Sequence, residues 1–288
     1  MSGIVLPRVA RRSAALGLAV RAAVVWLVLM LLVAVLADLL RPYSITAIDL
    51  GHRLAPPLGF GGTFAHPLGT DELGRDVLSR LIVSTRVSLL LAFGATLLGL
   101  LLGATLGLLA AHLGGLAEQA VLMLVDFQAA LPFMILALAV LAFFGDSLPI
   151  LAGLMSFYGW ERHARVARGL ALAAGAQNYV AAVRGLGAGP WRIYWGHVLP
   201  NIAATLVVSA TLAFPEVILL ESGLSFLGLG VQPPMSSLGN MVGYGRNYIE
   251  GAPWILLAPS IAIVLTTLAI SIVGDTLRDR LDPTTSRV

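Results

Sequence analysis

Long apolar stretches recur along this chain, and they constrain its fold more than any other feature. Five of them reach or approach the roughly 20 residues that a helix needs to cross a bilayer. They are Ala22–Leu40, Val87–Leu113, Ala120–Phe144, Ile202–Leu220 and Ala252–Gly274. The chain is 58% hydrophobic and 11% charged, whereas soluble domains are about 25% charged. The sequence therefore predicts an all-α polytopic membrane protein and excludes a soluble globular one.

A sixth apolar stretch, Leu148–Trp160, is too short to cross a bilayer by itself. It continues into residues 161–168, which are charged but compatible with a helix. We interpret the two together as the fourth of six transmembrane helices.

The arginines predict the orientation, because cytoplasmic flanks of membrane helices are enriched in positive charge. With the N-terminus inside, twelve of the eighteen basic residues lie on the inner side. Both termini are therefore expected in the cytoplasm. The predicted division is a cytoplasmic segment (1–21), a first transmembrane helix (22–40), a periplasmic loop (41–83), a membrane domain (84–275) and a cytoplasmic tail (276–288).

Several kinds of chemistry are excluded by residues that the chain lacks. It has no cysteine and no lysine, so thiolate metal sites and the lysine of a phosphate-binding loop are excluded. The five histidines show no metal-hydrolase spacing, and no Gly-x-Ser-x-Gly sequence occurs. The arginines are dispersed, which argues against a nucleic-acid surface. We expect no catalytic residue, no metal and no cofactor.

Small residues recur every four positions in the second apolar stretch: Ala95, Gly99, Gly103, Gly107 and Ala111. Such a ridge lets another helix backbone approach closely. It predicts tight helix packing, within this chain or against a partner.

The loop before this stretch contains His66–Arg80. Thr70 or Asp71 is a plausible N-cap, and Asp71 and Asp76 each stand four residues before an arginine. We expect a short amphipathic helix on the outer membrane face.

Residues 175–201, which we call the knob segment, contain a glycine-rich turn. A short helix is expected to end at Gly187, where glycine tolerates a positive φ, and Pro190 suits the first turn of the next helix. Two short helices would form a compact knob. The alternative is an interfacial linker held by Trp191 and Trp195.

Two further features concern the apolar stretch Ile202–Leu220, which is the fifth predicted span. Glu216, beside Pro215, is an acid inside this predicted span, and such acids are candidates for a functional site. It either faces a translocation path, or it reaches water or bonds a neighbouring helix. After this span, Glu221–Pro234 is rich in glycine and proline and predicts a re-entrant or interfacial turn on the outer side.

Together these segments resemble the inner-membrane permease subunits of ABC importers of the dipeptide, oligopeptide and nickel family. The resemblance is carried by His66–Arg80, by Tyr179–Asn201, by Glu221–Pro234 and by Gly274–Pro283. It implies a type I importer permease fold and alternating access driven by ATP hydrolysis in partner subunits. The implied partners are a homologous second permease, two ATPase subunits and a periplasmic binding protein.

The resemblance also assigns the knob segment to docking on an ATPase subunit. Ala182, Gly187, Leu199 and Pro200 match the family pattern, whereas Ala181 stands where the family usually has Glu. This departure argues against a charged contact at that point, and not against docking. Short peptides are the expected cargo; nickel chelates, glutathione and other small solutes stay open. An ion-coupled secondary transporter and a membrane enzyme are the competing classes.

Overall fold

The computed structural model describes residues 7–281, and within this range the chain is all-α apart from one isolated bridge between Thr70 and Asp76. Twelve α-helices occupy the described range. They are α1 Pro7–Val35, α2 Ala37–Leu40, α3 Val77–Leu113, α4 Gly115–Ala130, α5 Phe133–Phe144, α6 Leu148–Ser156, α7 Trp160–Gly175, α8 Asn178–Gly185, α9 Pro190–Ile193, α10 Leu199–Phe226, α11 Leu238–Gly245 and α12 Trp254–Leu281.

Four segments of the described range are long and apolar enough to cross a membrane: Gly17–Val35, Val77–Leu113, Pro190–Phe226 and Trp254–Leu281. A fifth crossing is possible through α4 and α5, which together pass the same test but meet at an angle of 87°. The span expected over Ala120–Phe144 is therefore not one straight helix. Its counterpart in the structure is this bent pair.

Two local features break the apolar stretches that the sequence pattern treated as continuous. Leu131 takes an extended conformation before Pro132, as steric contact with the proline ring favours. Gly159 has φ +79° and separates α6 from α7. The fourth span expected over residues 148–168 is thus two helices. Neither α6 nor α7 is long and apolar enough to cross a membrane by itself.

The bundle is built around α3, which packs along α7 in the same direction and contacts α1, α6 and α10. The largest apolar core joins α3, α5, α6 and α10; its fully buried members include Leu151, Met155 and Leu224. α1 packs on α12, where the Trp26 indole donates a hydrogen bond to Thr266 Oγ1 at 3.1 Å. Packing on α3 determines which faces of α7 and α10 are buried and which are left for other contacts.

The loop before α3, residues 41–76, is ordered but contains no amphipathic helix, so that prediction is wrong. We call these residues the first loop. Asp76, and not Thr70 or Asp71, caps the helix: its Oδ2 accepts from the Ser79 N–H at 2.7 Å. α3 starts directly after it at Val77, which places the predicted domain boundary at residue 84 inside α3.

The first loop is fixed to the helices at several points. The Trp254 indole donates to the Thr70 carbonyl at 3.1 Å, and the Tyr43 N–H donates to Ser79 Oγ at 3.0 Å. Within the loop, hydrogen bonds from the His52 side chain and the Gly51 N–H lower the pKa of Asp49. The loop therefore forms a defined cap over one end of the bundle.

The end of α1 is held by an arginine of α3. The Arg86 guanidinium donates to the carbonyls of Ala34 and Val35 and to the Asp38 carboxylate. The hydrogen bond from Arg86 to the Asp38 carboxylate and the charge of Arg86 lower the pKa of Asp38. A cation beside the unpaired carbonyls at the C-terminal end of a helix also interacts favourably with the helix dipole.

Candidate functional site

The knob segment folds as two short helices around a tight turn. α8 ends at Gly185, and the turn passes through Gly187 with φ +82°, where no atom lies within 4 Å of a built Cβ. Pro190 occupies the first turn of α9. The expected glycine turn and proline start are both present, and they give a compact knob.

One side of the knob packs on the bundle and the other is free. Val180, Ile193 and Val198 are buried in a core with Ala171, Ala174 and Ile202. The exposed side carries Ala181, Ala182, Leu186, Trp191 and Trp195. Leu186 is 87% exposed and Trp191 is 75% exposed, so the free side exposes large apolar side chains, with the exposed Arg184 and Arg192 beside them.

The knob is joined directly to two long helices. Its first helix, α8, follows α7 after Ala176 and Gln177. Its second helix, α9, continues through a π-helical turn, Tyr194–Val198, into α10. Leu199 and Pro200 are the first residues of α10. A displacement of the knob therefore acts on α7 and α10 together.

The glycine ridge of α3 faces α7. Cβ atoms at Gly103 and Gly107 would collide with the backbone carbonyl oxygens of Trp160 and Ala164, and one at Gly99 would lie 3.1 Å from the Tyr158 carbonyl. The two helices are close because these side chains are absent. The ridge serves packing within the chain.

The opposite face of α7 carries three arginines at intervals of three residues, each paired with an acid of α4 or α10. The pairs are Arg162 with Glu216, Arg165 with Asp126, and Arg168 with Glu118. We call this set the arginine ladder. Asp126 and Glu216, which lie in the apolar stretches Ala120–Phe144 and Ile202–Leu220, are thus both paired with α7.

Glu216 is held from two directions. Arg162 Nη1 donates to both carboxylate oxygens at 2.8 and 2.9 Å, and the Tyr158 hydroxyl donates to Oε2 at 3.2 Å. The next residue of α7, the buried His163, lies with Nδ1 2.8 Å from Ser209 Oγ of α10. α7 and α10 are therefore joined by polar contacts near the start of α7, whereas Ala171 and Ile202 share an apolar core further along.

Sequence reasoning placed the ladder arginines at the charged inner end of the fourth predicted transmembrane helix and missed their partners. The available signal was their spacing, which places Arg162, Arg165 and Arg168 on one side of a helix whose other side is small and apolar. The acidic partners of the three arginines lie 39 to 54 residues away in the sequence. No local sequence pattern specifies these pairs.

The segment Glu221–Pro234 is only partly a turn. Its first residues extend α10 to Phe226, and the irregular part follows. Glu221 is buried, and its Oε1 accepts from the hydroxyls of Ser225 at 2.7 Å and Ser237 at 2.6 Å. This contact returns the chain onto α10 before α11 begins.

Residues 99–287 match the family described as "Binding-protein-dependent transport system inner membrane component". The di/tripeptide transport system permease protein DppC of Pseudomonas aeruginosa is 39% identical over 90% of this chain and 86% of its own. The dipeptide permease DppC of Escherichia coli K12 is 40% identical over 90% and 87%.

A glutathione transport system permease, GsiD of Pectobacterium atrosepticum, is 36% identical over 91% of this chain and 86% of its own. Among solved structures, an inward-facing MetNI methionine ABC transporter chain matches with a TM-score of 0.57 and 20% identity. The match covers 71% of this chain and 97% of that one. It supports the fold.

Proposed function

The chain belongs to the family of binding-protein-dependent inner-membrane permeases of ABC importers, and from that premise we propose that it imports short peptides. The family is multi-pass, resides in the inner membrane and works with ATPase and binding-protein partners. Similarity to two DppC permeases over nine-tenths of this chain carries the proposal. Glutathione is the second candidate cargo, because GsiD is similar over the same length.

We propose that the membrane domain has six crossings with both termini in the cytoplasm. α4 with α5 would form the third crossing and α6 with α7 the fourth, the latter running beside α3 over Leu148–Gly175. The absence of cysteine allows a direct test. Single cysteines in the first loop and in the knob segment are expected to react with impermeant thiol reagents from opposite sides.

The knob segment is proposed to dock on an ATPase subunit. Its free apolar side includes Ala181 and Ala182, and its covalent continuity through Leu199 and Pro200 gives a route from the docking surface to α10. ATP-driven closure of two ATPase subunits would displace the knob, and α7 and α10 would follow. Alternation between outward and inward access then needs no chemistry in this chain.

The path itself is proposed to lie between this chain and a homologous second permease. We propose that Glu216 lies on that path. In support, this charged group is about 15 Å from the end of α10 at a rise of 1.5 Å per residue, and its side chain is 39% exposed. Charged groups at such depth face a water-filled path or another protein surface.

The proposed function is tested by reconstituting the chain with its partner permease, ATPase and binding-protein subunits in proteoliposomes. ATP hydrolysis stimulated by the peptide-loaded binding protein, with uptake of labelled dipeptide, is the expected result. Parallel assays with glutathione and with a nickel chelate decide the cargo. Purification of the two permeases without bound ATPase subunits would contradict the proposal, and so would peptide uptake that does not require ATP.

Gly187→Val is expected to lower transport and peptide-stimulated ATP hydrolysis about tenfold, while membrane insertion is retained. A β-branched residue is strained at the positive φ of Gly187, so the tip of the knob must change shape. Gly187→Asn is the matched control, since Asn tolerates this conformation better. Normal stimulated hydrolysis by the Gly187→Val complex would show that the turn does not transmit coupling.

A further inference from the structure

The Arg162–Glu216 pair lies where lipid cannot be its environment. Glu216 stands about 15 Å from the end of α10 and about 26 Å from its start, within a segment apolar enough to span the membrane. The two side chains are 49% and 39% exposed on this chain. Because charge facing acyl chains is costly, this face belongs to a water-filled path or to its protein wall.

The hydrogen bonding of Arg162 is incomplete in a way that points to a ligand. Among the described residues, its Nη1 alone is bonded, and both of its bonds go to Glu216. The Arg86 guanidinium, by contrast, uses Nε and both terminal nitrogens. A guanidinium has five N–H donors in a planar fork that matches a carboxylate. Arg162 therefore retains donors for a second carboxylate.

Glu216 has a second polar neighbour that stabilises its position. The Tyr158 hydroxyl donates to Oε2, and the Tyr158 ring packs edge-on against Phe133, with the centroids 5.0 Å apart. This contact keeps the carboxylate in place when Arg162 turns toward another anion. The pair thus presents a fixed anion and a cation with free donors on one exposed face.

Resting on the proposed function, we propose that Arg162 and Glu216 form a transient binding site for the two charged termini of a peptide in the path. The peptide carboxylate would bind the fork of Arg162, and its ammonium would bind Glu216. Each charge of the resting pair is replaced by a charge of the substrate, so no ion is left without a partner. A zwitterion of dipeptide size suits this exchange.

Arg162→Lys separates recognition from structure. Lysine keeps the charge and can pair with Glu216, but it lacks the planar fork. We expect dipeptide delivered per ATP hydrolysed to fall about tenfold, with the melting temperature of the complex unchanged. Arg86→Lys, at an arginine outside this face, is the matched control and should leave this ratio unchanged. Unchanged delivery by Arg162→Lys would overturn the proposal.

Accessibility supplies a readout that does not depend on turnover. Leu219, one turn from Glu216 and 55% exposed, is replaced by cysteine in this cysteine-free chain. Leu219→Cys should react with a charged, impermeant thiosulfonate, and dipeptide-loaded binding protein with ATP should slow the reaction severalfold. Leu32→Cys on α1 is the control that should not react. An unreactive Leu219→Cys, or one that peptide does not protect, overturns the proposal.

The two proposals fail in different ways. If wild-type complex shows no hydrolysis stimulated by peptide-loaded binding protein, the proposed cargo is wrong. If stimulation is normal but Arg162→Lys and peptide protection have no effect, only the binding site is wrong.

Discussion

Gly103→Leu is expected to prevent recovery of a folded chain, with a loss of stability of about 3 kcal/mol or more, at the upper end of overpacking costs. A Cβ at this position would collide with the Trp160 carbonyl oxygen and would lie 2.7 Å from His163 Cβ and 2.9 Å from the Ala164 nitrogen. Backbone atoms cannot move aside as a flexible side chain does, so α3 and α7 must separate.

Separation of these helices would reach the site, because the other face of α7 carries the arginine ladder. We therefore expect Gly103→Leu to lose assembly and transport together. The measurements are the yield of monodisperse protein in detergent and its melting temperature.

Gly94→Leu is the matched control in the same helix. No atom lies within 4 Å of a Cβ built at Gly94, so this variant should stay within about 0.5 kcal/mol of the parent chain. Equal melting temperatures for the two variants would show that close approach of α3 and α7 is not required.

The features of the site that were predictable from sequence are those fixed by local backbone chemistry. The turn at Gly187 and the start of α9 at Pro190 follow from the φ values that glycine and proline favour. The ridge of α3 follows from a spacing of four, which is a property of the helix itself. None of these needs a distant partner.

The features that were missed depend on competition or on distance. Asp71 and Asp76 are both residue types that favour the N-cap position, and tertiary contacts decide between them. The Asp71 carboxylate pairs with arginines, and Asp76 caps α3. The break at Pro132 is the exception, because its signal is local: a proline disfavours a helical residue before it, but hydropathy does not show this. The Arg162–Glu216 pair joins residues 54 positions apart, a relation that periodicity within one helix cannot contain.

Asp71→Ala is expected to destabilise the chain by about 3–5 kcal/mol, the usual cost of leaving a buried charge without its partner. The Asp71 side chain is fully buried: Oδ1 accepts from the N–H groups of Leu73 and Arg75 at 2.9 Å, and Oδ2 accepts from Arg75 Nε at 2.7 Å and from Arg80. The Arg80 side chain is only 5% exposed, so water cannot replace the lost carboxylate.

The first loop should lose its order in this variant, because the Asp71 carboxylate fixes the turn at Leu73–Arg75. The Asp71 carbonyl of the same turn accepts from the Leu54 N–H at 3.0 Å and so joins the two halves of the loop. Limited proteolysis from the outer side of right-side-out vesicles, with the melting temperature in detergent, measures both effects. Asp49→Ala is the control, since this acid of the same loop is half-exposed and its removal should leave the melting temperature nearly unchanged.

Removing both charges distinguishes an uncompensated ion from a general loss of packing. When a buried pair is replaced by apolar residues of similar volume, stability is often kept. Asp71→Leu combined with Arg80→Met should therefore recover more than half of the melting temperature lost in Asp71→Ala. The hydrogen bonds that Oδ1 accepts from the turn are not restored, so recovery should stay incomplete. A double variant no more stable than Asp71→Ala would assign the whole effect to the turn, and the charge of Arg80 would then carry none of it.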